Sequence, residues 1–281
     1  MLMRGLCLIF FLLFLICTAC QKKDNNWFTI EKLDHKTYRI REKQSSQNNS
    51  SYLIVGDKEA LLFDSGSGEN KTGDIKALVD SLVGVPVTLL HSHFHFDHIG
   101  NSNAFPEIAL PDLPALQTRL DQDSCIHLSE KESLSPETYI LKIKKRCPLN
   151  TEFDLGNRKI SIYHTPGHSP WSFTIVDKRG SYLFVGDLAY KGLLLVNNLE
   201  EYQNSLNQLI HLCDSSYQIY AAHGNEDLLY SDLDKIRLAL KAFQNTKPSP
   251  RKEIELFGNR KEMYVIDGIP FIYDVTGNYL K

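Results

Sequence analysis

The chain holds 281 residues, with 31 Lys or Arg against 34 Asp or Glu and a formal net charge of −3. A balance so close to neutral offers no basic face for nucleic acid. The length suits one sizeable globular domain or two fused halves.

Residues 1–4 are a short, positively charged start, and 6–16 form an apolar run too short to span a bilayer comfortably. Together they mark a secretory signal rather than a membrane helix. The run closes on Cys17-Thr18-Ala19-Cys20, followed by the polar stretch 21–26. That arrangement resembles a bacterial lipoprotein signal, although Cys17 stands where such signals usually have Leu. The resemblance implies removal of 1–19, lipidation of Cys20, and 20–26 as the linker from a membrane anchor on the periplasmic or surface side. Read as an ordinary cleaved signal, the same segment would export the chain and leave it soluble. Three cysteines remain beyond it, none at metal-ligand spacing. Cys125 and Cys147 flank one middle segment and could pair in an oxidising compartment, while Cys213 reads as a buried apolar filler.

Strand-like runs follow at 27–33, 37–41, 52–55 and 60–63, with the polar stretch 44–51 as a loop. Asp64-Ser65-Gly66-Ser67-Gly68 ends the fourth run, and 72–82 reads as a helix capped by Thr72. After a buried strand at 87–90, His93-Phe94-His95-Phe96-Asp97-His98 packs three imidazoles and a carboxylate into six residues. Side-chain alternation puts His93 and His95 on one side, and Asp97 and His98 can close round the other. Open α/β sheets place their chemistry at such strand ends. From 101 to 151 the pattern loosens. A helix opens around Pro111 to Pro114, and Lys142-Ile143-Lys144-Lys145-Arg146 alternates poorly with anything apolar. The segment 101–151 therefore reads as an insertion or lid, with its basic run as a solvated face. Strands resume at 159–164, 172–176, 182–185 and 218–222, helices at 199–212 and 231–243, and a strand-rich tail at 254–273. Two halves with one grammar imply an α/β protein, a four-layer α/β/β/α sandwich with the site between the halves.

Four further positions, each at a predicted strand end, extend the histidine cluster. They are Asp64, His168 in Thr165-Pro166-Gly167-His168-Ser169, Asp187 in Phe184-Val185-Gly186-Asp187, and His223 in Ala221-Ala222-His223-Gly224. With them the chain resembles the metallo-β-lactamase-fold superfamily of metal-dependent hydrolases, whose five motifs appear in order. The resemblance implies a hydrolase domain over 27–281. It places His93, His95 and His168 round a first metal ion, Asp97, His98 and His223 round a second, Asp187 between the two, and Asp64 behind the ligands as a support for their loops. Imidazole and carboxylate donors suit two zinc ions, with iron or manganese also compatible. Ions roughly 3.5 to 4 Å apart can share a water and lower its pKa. The expected reaction is attack by that bridging hydroxide, with Asp97 as the catalytic group that orients it and takes its proton. No Gly-x-Ser-x-Gly elbow competes with this reading. His91 and His164 are expected in structural or supporting roles, His35, His127 and His211 at the surface, and Trp171 either walling the pocket or packing beneath its loop.

Antibiotic-degrading members often carry cysteine at the bridging position or a further histidine after the cluster; here Asp187 and Ile99 stand in those places. The ligand set looks like that of glyoxalase II-type thioesterases, lactonases and related esterases, although the tail lacks the pattern of a helical glutathione-binding domain. The expected function is hydrolysis of a small ester, thioester, lactone or amide. Two alternatives are a mononuclear-iron enzyme of the sulfur dioxygenase kind and a surface lipoprotein that keeps its metal without turnover.

Overall fold

The computed structural model describes residues 27–70, 74–256 and 259–273. The signal, Cys20 and Thr72 lie outside them. The first half runs β1 (Thr29–Asp34), β2 (Thr37–Arg41), β3 (Ser50–Val55), β4 (Ala60–Phe63), α1 (Ile75–Leu82), β5 (Val87–Leu90), α2 (Phe96–Ile99), β6 (Ile108–Pro111), α3 (Pro114–Gln117), β7 (Cys125–Leu128), α4 (Glu130–Ser133) and β8 (Tyr139–Cys147). The second runs β9 (Glu152–Asp154), β10 (Lys159–His164), β11 (Phe173–Asp177), β12 (Tyr182–Phe184), β13 (Leu194–Val196), α5 (Leu199–Leu212), β14 (Gln218–Tyr220), α6 (Tyr230–Thr246), β15 (Lys252–Leu256), β16 (Asn259–Ile266) and β17 (Ile269–Tyr273).

Eight strands form one sheet in the order β1-β2-β3-β4-β5-β6-β8-β7, and five form another in the order β14-β12-β11-β10-β9. Both are mixed: the first turns from antiparallel to parallel at β4 with β5 and ends on the antiparallel pair β8 with β7, and in the second only β12 with β14 is parallel. Alternation along the second sheet decides what its faces meet. Ile175 and Phe184 join Leu53, Leu62 and Leu89 in the core between the sheets, whereas their neighbours Val176 and Leu183 pack with Leu206 of α5 and Leu240 of α6. Ile75 and Val79 of α1 are buried in the core that holds the first sheet. The expected α/β/β/α layering is therefore present, and each of these buried side chains contributes about 1.5–3 kcal/mol of transfer free energy.

Several local expectations are corrected. Helix α1 starts at Ile75, because the Asp74 carboxylate accepts from the backbone N–H groups of Lys76 and Ala77 and caps it there. The segment 101–151 supplies β6, β7 and β8 to the first sheet, so part of it is framework rather than loose lid. A third sheet, β13-β17-β16-β15, joins a three-residue strand after Asp187 to the tail. Cys125 and Cys147 are both free. Cys125 pairs with Lys142 across β7 and β8, which leaves Cys147 five residues, or about 16 Å, farther along the strand. Among the described residues no helix is long and apolar enough to cross a membrane.

Candidate metal centre

The site is assembled from chain segments that leave β4, β5, β10, β12 and β14. Past β5 the backbone leaves the sheet with bends at Ser92 and His95, and the short helix α2 then carries the buried Asp97 and His98. Two glycines let the second half approach. Gly167 has φ 127°, and a Cβ there would lie 2.3 Å from the Cα of Tyr202, so the loop carrying His168 can rest directly on α5. Gly186 has φ 54° and sits against Ser92, which brings Asp187 up to the histidine cluster.

Two groups of ligand atoms result, His93, His95, His168 and Asp187 in one and Asp97, His98 and His223 in the other, with the atoms of each group within 4.8 Å of one another. In the first, His93 Nε2, His95 Nδ1 and His168 Nε2 stand 2.9 to 3.2 Å apart. The nitrogens of that triangle cannot all satisfy one another, because the outer nitrogens of His168 and His93 already hold protons. His168 Nδ1 donates to the Leu195 carbonyl, and His93 Nδ1 faces the Ser92 hydroxyl, whose own hydrogen goes to Asp64. Bare lone pairs therefore converge on one point, as a metal ion requires. In the second group His98 Nδ1 donates to Asp64 Oδ2 at 2.9 Å and His223 Nδ1 to the Gln47 carbonyl at 3.0 Å, so both present Nε2 inward. Among the described residues His98 Nε2 and Asp187 Oδ1 are buried without a hydrogen-bond partner. Orphaned groups of this kind fit a divalent ion.

Asp187 lies between the groups. Its Oδ2 is 3.5 Å from His168 Nε2 and 3.1 Å from His223 Nε2, and its Oδ1 is 3.4 Å from His98 Nε2. Charge separates the two groups as well. Burial, then the neighbouring imidazoles, drives His93 well below the ordinary histidine range and His95 down to about 3. Burial also works against a charge on His98 and His223, but Asp97 and Asp187 outweigh it, holding His98 well above its usual range and His223 at about 10. Asp97 and Asp187 are correspondingly held far below the carboxylate range, against burial, by His98 and His223. Without a metal, protons on two histidines stand in for cations.

All seven proposed ligands thus come together, and Asp64 lies behind them, accepting from the Ser92 backbone and hydroxyl and from His98. Ile99 is fully buried beside them. His91 bonds to Ser102 and His164 to the Pro170 carbonyl, away from both groups. Trp171 lines a small pocket with His95, His168 and Leu134, and Arg119 stands over its ring. Sequence reasoning missed several participants, the Gln47 carbonyl that holds His223 among them. Asn49 donates to Asp97, Tyr190 packs its ring edge-on to His223 with centroids 5.4 Å apart, and β13 supplies the carbonyl that fixes His168. None carried a signal, since a lone Asn in a polar loop or a backbone carbonyl has no motif.

The family model described as the metallo-beta-lactamase superfamily matches residues 47–249. An acyl-coenzyme A thioesterase, MBLAC2 of Gallus gallus, is 26% identical over 212 residues, covering 67% of this chain and 76% of the relative. The probable metallo-hydrolase YqgX of Bacillus subtilis is 23% identical over 203 residues, covering 66% of this chain and 90% of the relative. Among solved structures, a metallo-beta-lactamase from Pontibacter korlensis superposes with a TM-score of 0.58 at 15% identity, over 76% of this chain and 99% of that one.

Proposed function

A chain matched over 47–249 by that model belongs to the metallo-beta-lactamase superfamily, and from that premise we propose that it is a dinuclear zinc hydrolase of a small ester, thioester, lactone or amide, with an acyl thioester the first choice. The position of Asp187 between two complete ligand groups carries the reading. A site for a single ion would leave Asp97, His98 and His223 as a buried polar cluster with no use for its desolvation cost. His93, His95 and His168 would hold one ion and Asp97, His98 and His223 the other, with Asp187 shared. Ions bound there supply Lewis acidity and a water of lowered pKa. The chain's own residues do the rest. Asp97 would accept a proton at Oδ1 while its Oδ2 stays directed at His98 and His223. Phe94, Leu134 and Trp171 wall the side of His95 and His168 with apolar surface. Across Ser169, Pro170 and Asn197 that pocket adjoins a cleft of about 920 Å³ bounded by Phe243, Tyr264 and Tyr273, which is large enough for an acyl group. The thioesterases among the relatives support the thioester assignment.

The test is metal analysis of protein prepared without added metal, followed by a panel of acyl thioesters, lactones, phosphodiesters and β-lactams. The expected result is two zinc ions per chain and ester or thioester turnover that drops to background in His93→Ala/His95→Ala. One iron per chain with sulfur-dependent oxygen uptake would replace this reading with the dioxygenase one. Wild type and variant behaving alike on every substrate would leave a metal-binding protein without turnover.

A further inference from the structure

The loop between β2 and β3 reaches the second ligand group without giving it a ligand. Asn49, 2% exposed, donates from Nδ2 to the Asp97 carbonyl at 2.7 Å and to Asp97 Oδ2 at 3.1 Å. That same Oδ2 lies 3.4 Å from His98 Nε2 and 3.3 Å from His223 Nε2. Both Asp97 atoms only accept, so the amide face turned to them must be the NH2, and Oδ1 then falls 3.2 Å from the Ser45 hydroxyl. The loop behind the amide is itself fixed. Glu42 N–H donates to the Asn49 carbonyl, Ser45 N–H to the Glu42 carbonyl, and Ser50 N–H to the carbonyl of Ala222, next to His223. His223 Nδ1 bonds to Gln47 of the same loop.

We propose that Asn49 is a positioning residue that locks the Asp97 carboxylate with Oδ2 towards His98 and His223, and so sets the affinity of the second metal ion independently of the first. The inference rests on the dinuclear reading above. The terminal torsion of an aspartate is broad and roughly two-fold, so an unheld carboxylate would have to be ordered each time an ion bound. His93, His95 and His168 make no hydrogen bond to this loop, so the first ion's affinity should change little when Asn49 is replaced.

Cobalt(II) titration of the metal-free full chain, followed by visible absorption and by metal content after dialysis, separates the two equivalents. Asn49→Ala, which opens space for water, and Asn49→Leu, which keeps the volume, are compared with wild type, so that a folding defect in one leaves the other decisive. The expected result is an unchanged first equivalent and a second weakened about 10- to 100-fold, with hydrolysis restored by excess metal. Two equivalents as tight as in wild type would overturn the proposal, as would equal weakening of both, which is the signature of a general structural role. A wild-type chain that takes up one equivalent only would overturn the dinuclear reading itself, before any variant is compared.

Discussion

His98 and His223 hold protons because Asp97 and Asp187 require countercharge in a buried site, and a divalent ion competes for that same role. At pH 7 the metal-free chain carries both protons, since His98 lies well above its usual range and His223 near 10. Filling the second group should therefore release about two protons. Calorimetric titration with zinc in buffers of different ionisation enthalpy measures that number, and no release would contradict the charge assignment. Stability follows with a definite sign. The two histidines have folded pKa values above the unfolded value of 6.5, so their contribution is complete below 6.5 and is lost as pH rises, through about 10 for His223. Asp97 and Asp187 lie below 3.8 and lose their contribution as pH falls past it. Metal-free protein should melt highest between those limits, while metal binding strengthens as protons leave. The Tm difference between zinc-loaded and metal-free protein should widen from about pH 6 to about pH 9, and a constant difference would count against it.

At the level of elements, the continuous apolar runs of β4, β5, β11 and β12 were legible in the sequence, whereas alternating strands rich in charge were concealed. Strand β8 is the informative case. Leu141, Ile143 and Cys147 are buried while Lys142, Lys144 and Arg146 point out, which is a period of two. One inward slot breaks the pattern because Lys145 occupies it, reaching Glu59 at 2.5 Å and lying 4.9 Å over the Phe153 ring. A lysine stem can cover apolar surface while its head finds a carboxylate, and that is how a core-facing strand came to read as a solvated run. Strand β13 escaped for a different reason, since three residues are too few to show any period. Two substitutions separate framework from lid. Ile143→Ala should cost about 2–5 kcal/mol in urea unfolding. Lys145→Met, which breaks a partly exposed pair, should cost less than about 1 kcal/mol. If both changes were near neutral, β8 would not be holding the sheet.

For the whole molecule, the candidate ligands were legible because they sit in short motifs that follow β5, β10, β12 and β14. The forces that aim those ligands were not, because they cross between distant segments: Asn49 to Asp97, Gln47 to His223, Leu195 to His168. The joint between the halves is of that second kind. Arg158 precedes β10, at the end opposite the loop that carries His168. It donates from Nε to Asp177 Oδ2 in its own sheet at 3.0 Å, and across to the Lys36 carbonyl at 2.9 Å and the Thr37 hydroxyl at 2.7 Å in the first sheet. Asp177 has no exposed side-chain surface and Arg158 only 5%. Removing the guanidinium leaves the buried Asp177 carboxylate with only the Arg179 and Gly180 backbone N–H groups, at Oδ1, so Arg158→Met should destabilise the protein by about 3–5 kcal/mol, and pairing it with Asp177→Leu should recover part of that loss. The candidate metal ligands are held by other residues, so the surviving folded Arg158→Met protein should take up as much cobalt as wild type does. A single variant of wild-type stability would mean that the pair does not clamp the sheets. Loss of metal affinity in a fully folded sample would mean that the two ends of the sandwich are coupled through β10.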